Sequence, residues 1–468
     1  MTNEKPIGTY IILYIPWLIS LVFQDSPIMS YFIAWAGSFF IFYITLSGKL
    51  KPLPADRAVS EQLMRPIFLM QIIFAGFMSC TSIFYFLDTL GYQNFTKVNN
   101  YYLINTERLV ATAQCQRYYC LAHASLVTGI LYFMKYPVKS KYKVNKEKLA
   151  NVLFLFAIVT LGVSTFFLTI PSLWQLYYQY SSLSFIAGTL ALAFAIPLKK
   201  TTNTIICIFL YGFNFYEALV SGFKEPIIIS VVVLGIFLYP NYKRVVLLTF
   251  IPLLLIMFVL LPTYNRVFRE QSWSGDANDN DASKAALDAV LDESSSKDDS
   301  NWAFFAFRLS EVDMFTTFVK STPANIGYYG TKLLEQSITV LVPRVFWPGK
   351  PSTEELVMAR VYDAGVVFRG SNVSAKPAFV VDAYLSGGTL GIFICLFAYG
   401  AIAQLISIKA EYLFGGYILG TALIFSGLFQ IFWRGLSFEF LINSVFWSYI
   451  SMLLIFRVLL VAKVINKI

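Results

Sequence analysis

Apolar tracts of about 20 residues recur along this chain, each long enough to cross a lipid bilayer as a helix. The tract at 245–263 carries no charge at all. Backbone placed in hydrocarbon must satisfy its own hydrogen bonds, which leaves only helices and closed barrels. The apolar runs here are continuous rather than alternating, and that excludes a barrel. Composition agrees: 57% of residues are hydrophobic, 13% are charged and mean hydropathy is +0.63. Ordinary globular chains are less apolar and about twice as charged. The fold class is an all-α polytopic membrane protein.

Twelve spans are expected, at about 7–24, 27–48, 66–90, 116–135, 149–171, 180–198, 203–221, 225–241, 245–263, 378–407, 412–433 and 438–462. The lysines and arginines between them set an orientation. Lys49, Lys51, Arg57 and Arg65 separate spans two and three. Six lysines from Lys135 to Lys148 separate four and five. Lys199, Lys200, Lys243, Arg244, Lys409, Lys463 and Lys467 follow spans six, eight, ten and twelve. With twelve spans all of these share one face, the cytoplasmic one, and both termini lie there. The net charge of +9 is thus explained by short loops and gives no reason to expect nucleic acid. Cys115 and Cys120 stand near one helix end and could pair on an oxidising face, but buried free thiols are the expectation for all five cysteines, which lack metal-ligand spacing. The first apolar stretch has no small-residue cleavage site and reads as a retained span.

The division that follows is helices one to nine (1–263), a long loop (264–376) and helices ten to twelve (377–468). A connection this long usually carries function, and the orientation places it outside. Its stretch 270–299 has nine acids against two lysines and reads as mobile, with a weak helix at 282–291. From 302 to 376 the composition is globular and the balance basic.

No phosphate-binding glycine loop, Asp-x-Asp pair or zinc motif is present, so no cofactor or metal is expected. The loop face instead gathers cations: Arg266, Arg269, Arg308, Arg344 and Lys350 in the loop, with Lys224 and Arg434 in two turns on the same face. Arginine grips phosphate through its fork and stays charged when partly dehydrated. Around Arg344 and Lys350, three prolines stiffen the backbone beside Phe346 and Trp347. Trp347 can stack on a sugar ring or anchor at the headgroups. Each cation also has a bland reading: Lys224 and Arg434 as snorkelling end charges, Arg266 and Arg269 as helix-end charges, Arg308 as a partner of Glu311 or Asp313. Asp382, near the loop end of span ten, is an ionisable group in costly surroundings. It is a candidate base or the partner of a cation. His123, the only histidine, is a second candidate base or a buried core residue.

The segment Pro343-Arg344-Val345-Phe346-Trp347-Pro348-Gly349-Lys350-Pro351 resembles the proline motif of bacterial Wzy-type oligosaccharide repeat-unit polymerases, including that of enterobacterial common antigen. Ser221-Gly222-Phe223-Lys224, Ser386-Gly387-Gly388-Thr389-Leu390-Gly391 and Trp433-Arg434-Gly435-Leu436-Ser437 resemble further family turns, in the same order. Lys224 departs from the family's usual arginine, and an Arg-x10-Gly spacing found in some members is one residue short at Arg360 and Gly370. The resemblance covers about 219–437; the N-terminal half matches in hydropathy alone.

The resemblance implies a GT-C-like bundle in the bacterial inner membrane with a periplasmic loop. The activity implied is transfer of a growing glycan from undecaprenyl diphosphate onto the non-reducing end of a new lipid-linked repeat. It implies no metal, with the basic residues named above on the diphosphate. A Wzz-type chain-length regulator is implied as partner, alongside the lipid bilayer. An O-antigen ligase would share the donor, but such proteins tend to place a histidine in the long loop, and this loop has none. A transporter or flippase should show repeats and midplane charges, which are not evident. A scaffold binding a partner through the basic loop is the remaining alternative.

Overall fold

The structure is a computed structural model describing residues 7–99, 101–220, 224–272, 278–291, 302–371, 374–416, 419–420 and 436–468. Helices make up most of it. A 3-10 segment, Ile7–Tyr14, leads into α1 (Ile15–Val22), and a short turn leads into α2 (Pro27–Leu46). Both α2 and α3 (Pro66–Thr89) begin on proline, whose missing N–H costs nothing at a helix start. Inside α3 one turn widens to a π-helix, Phe74–Ser79. The bundle continues with α4 (Thr106–Phe133), α5 (Lys146–Leu168), α6 (Trp174–Ala195), α7 (Thr201–Val220) and α8 (Lys224–Ser272). Asn105 and Asn145 cap α4 and α5 by accepting the N–H groups of Arg108 and Glu147.

Among the described residues, seven helices are long and apolar enough to cross a membrane: Pro27–Leu46, Pro66–Thr89, Lys146–Leu168, Thr201–Val220, Ile227–Met257, Phe379–Leu413 and Phe438–Val461. Gly8–Val22 and Tyr180–Ala195 are shorter apolar helices. This is a helical membrane protein. Most of the expected span 412–433 lies outside the described residues. The expected span at 116–135 falls in α4, which is longer and more polar than its neighbours. It is also the most enclosed helix, buried at almost every position from Leu109 to Leu131. Its Gln116, Arg117 and His123 are buried against other helices, so no acyl chain has to solvate them.

The expected boundary near 242 is present as a reversal inside α8. Tyr242 leaves the helical region (φ −131°, ψ 44°), two residues after Pro240. Phe250 then lies against Gly235, and Ile227 and Val231 share an apolar cluster with Met257 and Leu261. A straight helix would hold Gly235 and Phe250 about 22 Å apart, so the two arms lie side by side.

The last two helices, α13 (Phe379–Leu413) and α14 (Phe438–Val461), complete the described bundle. Buried ionic clusters mark the two ends of α13. At its end Glu411 binds Arg65 (Nε–O 2.8 Å) and Arg57 (3.2 Å), and Asp56 completes the group at 2.6 Å from Arg65. Burial alone would lower the Arg65 pKa; the carboxylates of Asp56 and Glu411 more than reverse this and raise it. A two-stranded antiparallel ribbon, β1 (Tyr142–Val144) with β2 (Ile465–Lys467), closes the same end. At its start Asp382 joins the second cluster. Between Asp382 and Glu411 the helix is interrupted at Gly387 and Gly388, and a Cβ on Gly391 would meet the Ala383 carbonyl oxygen, so the short arm before the break folds back against the long one.

Between α8 and α13 lie α9 (Asp279–Leu291), a π-helical turn (Phe305–Leu309), α10 (Val312–Ser321), α11 (Lys332–Val340) and α12 (Thr353–Asp363). The helix expected at 282–291 is thus present and starts slightly earlier. It is docked, with Ala282, Ala286 and Val290 packed on Tyr264 and Phe268 of α8, where the sequence suggested mobile chain. Cys115, Cys120 and Cys207 are buried free thiols.

Candidate functional site

The long loop meets the bundle at the first turns of α13 and α14, and one arginine makes the joint. Arg360, near the end of α12, is 2% exposed. Its Nε and Nη2 donate to the two oxygens of Asp382 at 3.0 and 2.9 Å. Its Nη1 and Nη2 donate to the two oxygens of Glu439 at 2.8 Å each. The backbone N–H of Phe438 also donates to Asp382, at 2.8 Å. Both carboxylates stand in a first helical turn, where the macrodipole favours negative charge. Burial pushes the Arg360 pKa down, but Asp382 and Glu439 together hold it raised.

Next to this joint α13 breaks. Gly387 is extended and Gly388 takes φ +61°, a conformation that glycine adopts without strain. A Cβ on Gly388 would press on the Tyr328 hydroxyl at 2.8 Å. The break frees the Leu385 carbonyl, which accepts the N–H of Tyr329 at 2.8 Å. Tyr384, on the short arm before the break, donates to Thr322 O at 2.6 Å and lies against Tyr118, Phe315 and Tyr328. The glycine-rich stretch expected to open span ten is therefore a hinge seven residues inside its helix.

The proline-rich turn follows α11. Phe346 N–H donates to Pro343 O, and Lys350 N–H to Trp347 O, which winds the turn tightly. Lys350 folds back beneath it. Its Nζ donates to Val340 O at 3.1 Å and Val342 O at 2.7 Å, and the residue is 5% exposed. Burial, with the Arg344 charge nearby, lowers its pKa. Lys350 was expected on a diphosphate; instead its ammonium caps the carbonyls at the end of α11. Arg344 is half-buried, while Phe346 and Trp347 are exposed on the rim. Lys350→Met is expected to lower thermal stability by about 1–3 kcal/mol, because two buried carbonyls lose their donor. Thermal unfolding in detergent measures this, and an unchanged midpoint would show that the carbonyls find other donors.

The other expected site residues fall in three groups. Arg266 is exposed and Arg269 half-buried, both on the final turns of α8. Lys224 opens α8 and Arg308 lies in the π-helical turn, but their side chains lie outside the described residues, as does all of Arg434. His123 belongs elsewhere. It is wholly buried in α4, stacked on Phe74 of the π-helical turn at 5.1 Å, and neither ring nitrogen has a hydrogen-bond partner among the described residues. An imidazole so enclosed has no path to a sugar hydroxyl at the loop. Asp382 is held on both oxygens by Arg360 and by the Phe438 N–H, so its carboxylate is committed to the joint.

In the sequence Arg360 stands out only for its spacing from Gly370, and Glu439 does not stand out. An acid in the first turn of an apolar helix was the available signal, the same one that drew attention to Asp382.

One family comparison covers almost the whole of this architecture. Residues 15–467 match the family described as Domain of unknown function (DUF8712). The chain belongs to that family. No curated protein matches it, and no solved structure matches it. Its shared extent takes in the loop, the hinge in α13 and both ionic clusters as one unit.

Proposed function

We propose that this DUF8712 chain polymerises lipid-linked oligosaccharide repeats in the bacterial inner membrane, with its termini cytoplasmic and its loop periplasmic. The observation that carries the reading is the turn at 343–350. Lys350 pins it from below, Phe346 and Trp347 are exposed on its outward face, and Arg344 lies half-buried beside them in the chain. A cation with two aromatic rings, on a stiff turn at a bilayer surface, suits a ligand made of a diphosphate joined to a sugar. The resemblance of the same nine residues to the polymerase motif supports it independently.

A hydroxyl of the acceptor sugar attacks the anomeric carbon of the donor glycan. The bond to the diphosphate breaks, undecaprenyl diphosphate leaves with the electron pair, and the hydroxyl proton passes to the departing phosphate or to water. Arg344 and Arg266 stabilise the charge that grows on the leaving group, with Lys224, Arg308 and Arg434 added on the strength of the resemblance. Trp347 takes the sugar face. Arg360, Asp382 and Glu439 hold the loop to the bundle.

Deleting the gene and resolving surface polysaccharide on a gel tests this. The ladder should collapse to a single-repeat band, which wild type restores and a normally expressed Arg344→Ala does not. Long polymer left on its carrier with no capped core would instead indicate a ligase. An unchanged ladder would reject both.

A further inference from the structure

Among the described residues three arginines are buried, Arg65, Arg117 and Arg360, and of these only Arg117 has no carboxylate beside it. Arg65 is held by Asp56 and Glu411, and Arg360 by Asp382 and Glu439. Arg108 binds Asp88 at 2.9 Å and the Tyr85 hydroxyl at 3.0 Å. Arg117 is 8% exposed and receives none of this. Its Nη1 donates to Ser30 Oγ at 2.8 Å, and Ser30 in turn donates to Ser20 O at 2.7 Å. Among the described residues no carboxylate comes within ion-pair distance, and no other acceptor meets its remaining N–H groups. A guanidinium carries five donors, and one is used. An uncompensated buried cation is among the more costly things a helical bundle can contain.

Its position names the missing anion. Ser30 lies three residues into α2 and Ser20 in the last turns of α1. The Arg117 fork is therefore held about 5 Å below the α1–α2 turn. A helix of α2's length ends where the hydrocarbon ends, at the level of lipid phosphates. This is also the loop end of the bundle, since Tyr118, the next residue, lies 5.0 Å from Tyr384.

We propose that Arg117 anchors a binding site for the phosphate of a lipid headgroup, at the junction of α1, α2 and α4. Ser30 aims the fork by accepting one N–H, and the other donors are left for phosphate oxygens, which they match in a bidentate fashion. The inference goes beyond the proposed polymerase activity and does not depend on it. Two lipids carry the chemistry: a bulk anionic phospholipid and a polyprenyl diphosphate.

The test uses the full chain purified in a maltoside detergent, which contains no phosphate. Phosphatidylglycerol and undecaprenyl diphosphate are titrated separately, and binding is read by native mass spectrometry and thermal shift. Arg117→Gln is expected to weaken binding by about tenfold or more, with Arg117→Lys intermediate because the charge survives and the fork does not. Loss in both arms identifies a general phospholipid site, and loss for the diphosphate alone identifies the carrier lipid. Without lipid, Arg117→Gln should be at least as stable as the parent, since a lone buried charge has gone. Unchanged binding in both arms overturns the proposal. So does a lipid-free Arg117→Gln protein that melts well below the parent, because the Ser30 contact would then be structural. An unchanged polysaccharide ladder on gene deletion would reject the polymerase and leave these arms as they are.

Discussion

Arg360→Met is expected to cost about 3–5 kcal/mol of folding stability, the range for removing one partner from a buried ion cluster. Most of this comes from what is left behind. Asp382 and Glu439 are both fully buried and both face Arg360. Without it, two carboxylates confront each other with only the Phe438 N–H to share. The triple variant Arg360→Met, Asp382→Asn, Glu439→Gln should therefore recover most of the loss, because no uncompensated charge remains. Arg360→Lys should fall between, since one ammonium cannot bridge four oxygens as the fork does. Thermal unfolding of the four proteins in one detergent decides the matter. A single variant within about 1 kcal/mol of the parent would mean that water already reaches the carboxylates. Because Arg360 makes the hydrogen bonds that tie α12 to both membrane helices, proteolysis of the loop should also accelerate in Arg360→Met.

What the sequence disclosed and what it withheld divide along a physical line. The helical membrane class follows from local hydropathy, and so do the reversal near Tyr242 and the helix from Asp279, because each depends on a few adjacent residues. The ionic clusters join residues far apart in the chain: Arg360 with Glu439, and Arg65 with Glu411. Asp382 drew attention because an acid in an apolar segment is expensive, but its partner was chosen by packing. The same cost argument applies to Glu439, Glu411 and Arg117, each an ionisable group in or at the edge of an apolar stretch. Lys350 shows the opposite failure. Its position in a basic, proline-stiffened turn suggests a ligand contact. Yet that stiffness turns the side chain back onto the carbonyls of Val340 and Val342, which no pattern of charge reveals.

Gly400→Ala is expected to destabilise the protein by about 3 kcal/mol or more, the upper part of the range for overpacking. The sign is what makes it informative. Alanine is the better helix former, and at an open position the exchange gains roughly 1 kcal/mol. At Gly400 a Cβ would collide with the Leu126 carbonyl oxygen of α4 and crowd Ile130 N at 3.2 Å. The relation is reciprocal, since a Cβ on Gly129 would collide with Phe397 O and reach Ala401 N at 2.9 Å. All of these obstacles are backbone, so no rotamer change relieves them and the two helices must move apart. Small residues serve this purpose in membrane helices, where close backbone approach replaces the hydrophobic drive that water would supply. Gly162→Ala is the internal control. It lies within α5, and nothing lies within 4 Å of its would-be Cβ. It should be neutral or stabilising under the same assay. Gly129→Ala combined with Gly400→Ala should cost less than the sum of the two, because the first substitution already separates the helices. If Gly400→Ala behaved like Gly162→Ala, α4 and α13 would not be in backbone contact. The enclosed position of α4, which keeps Arg117 and His123 away from acyl chains, would then lose its explanation.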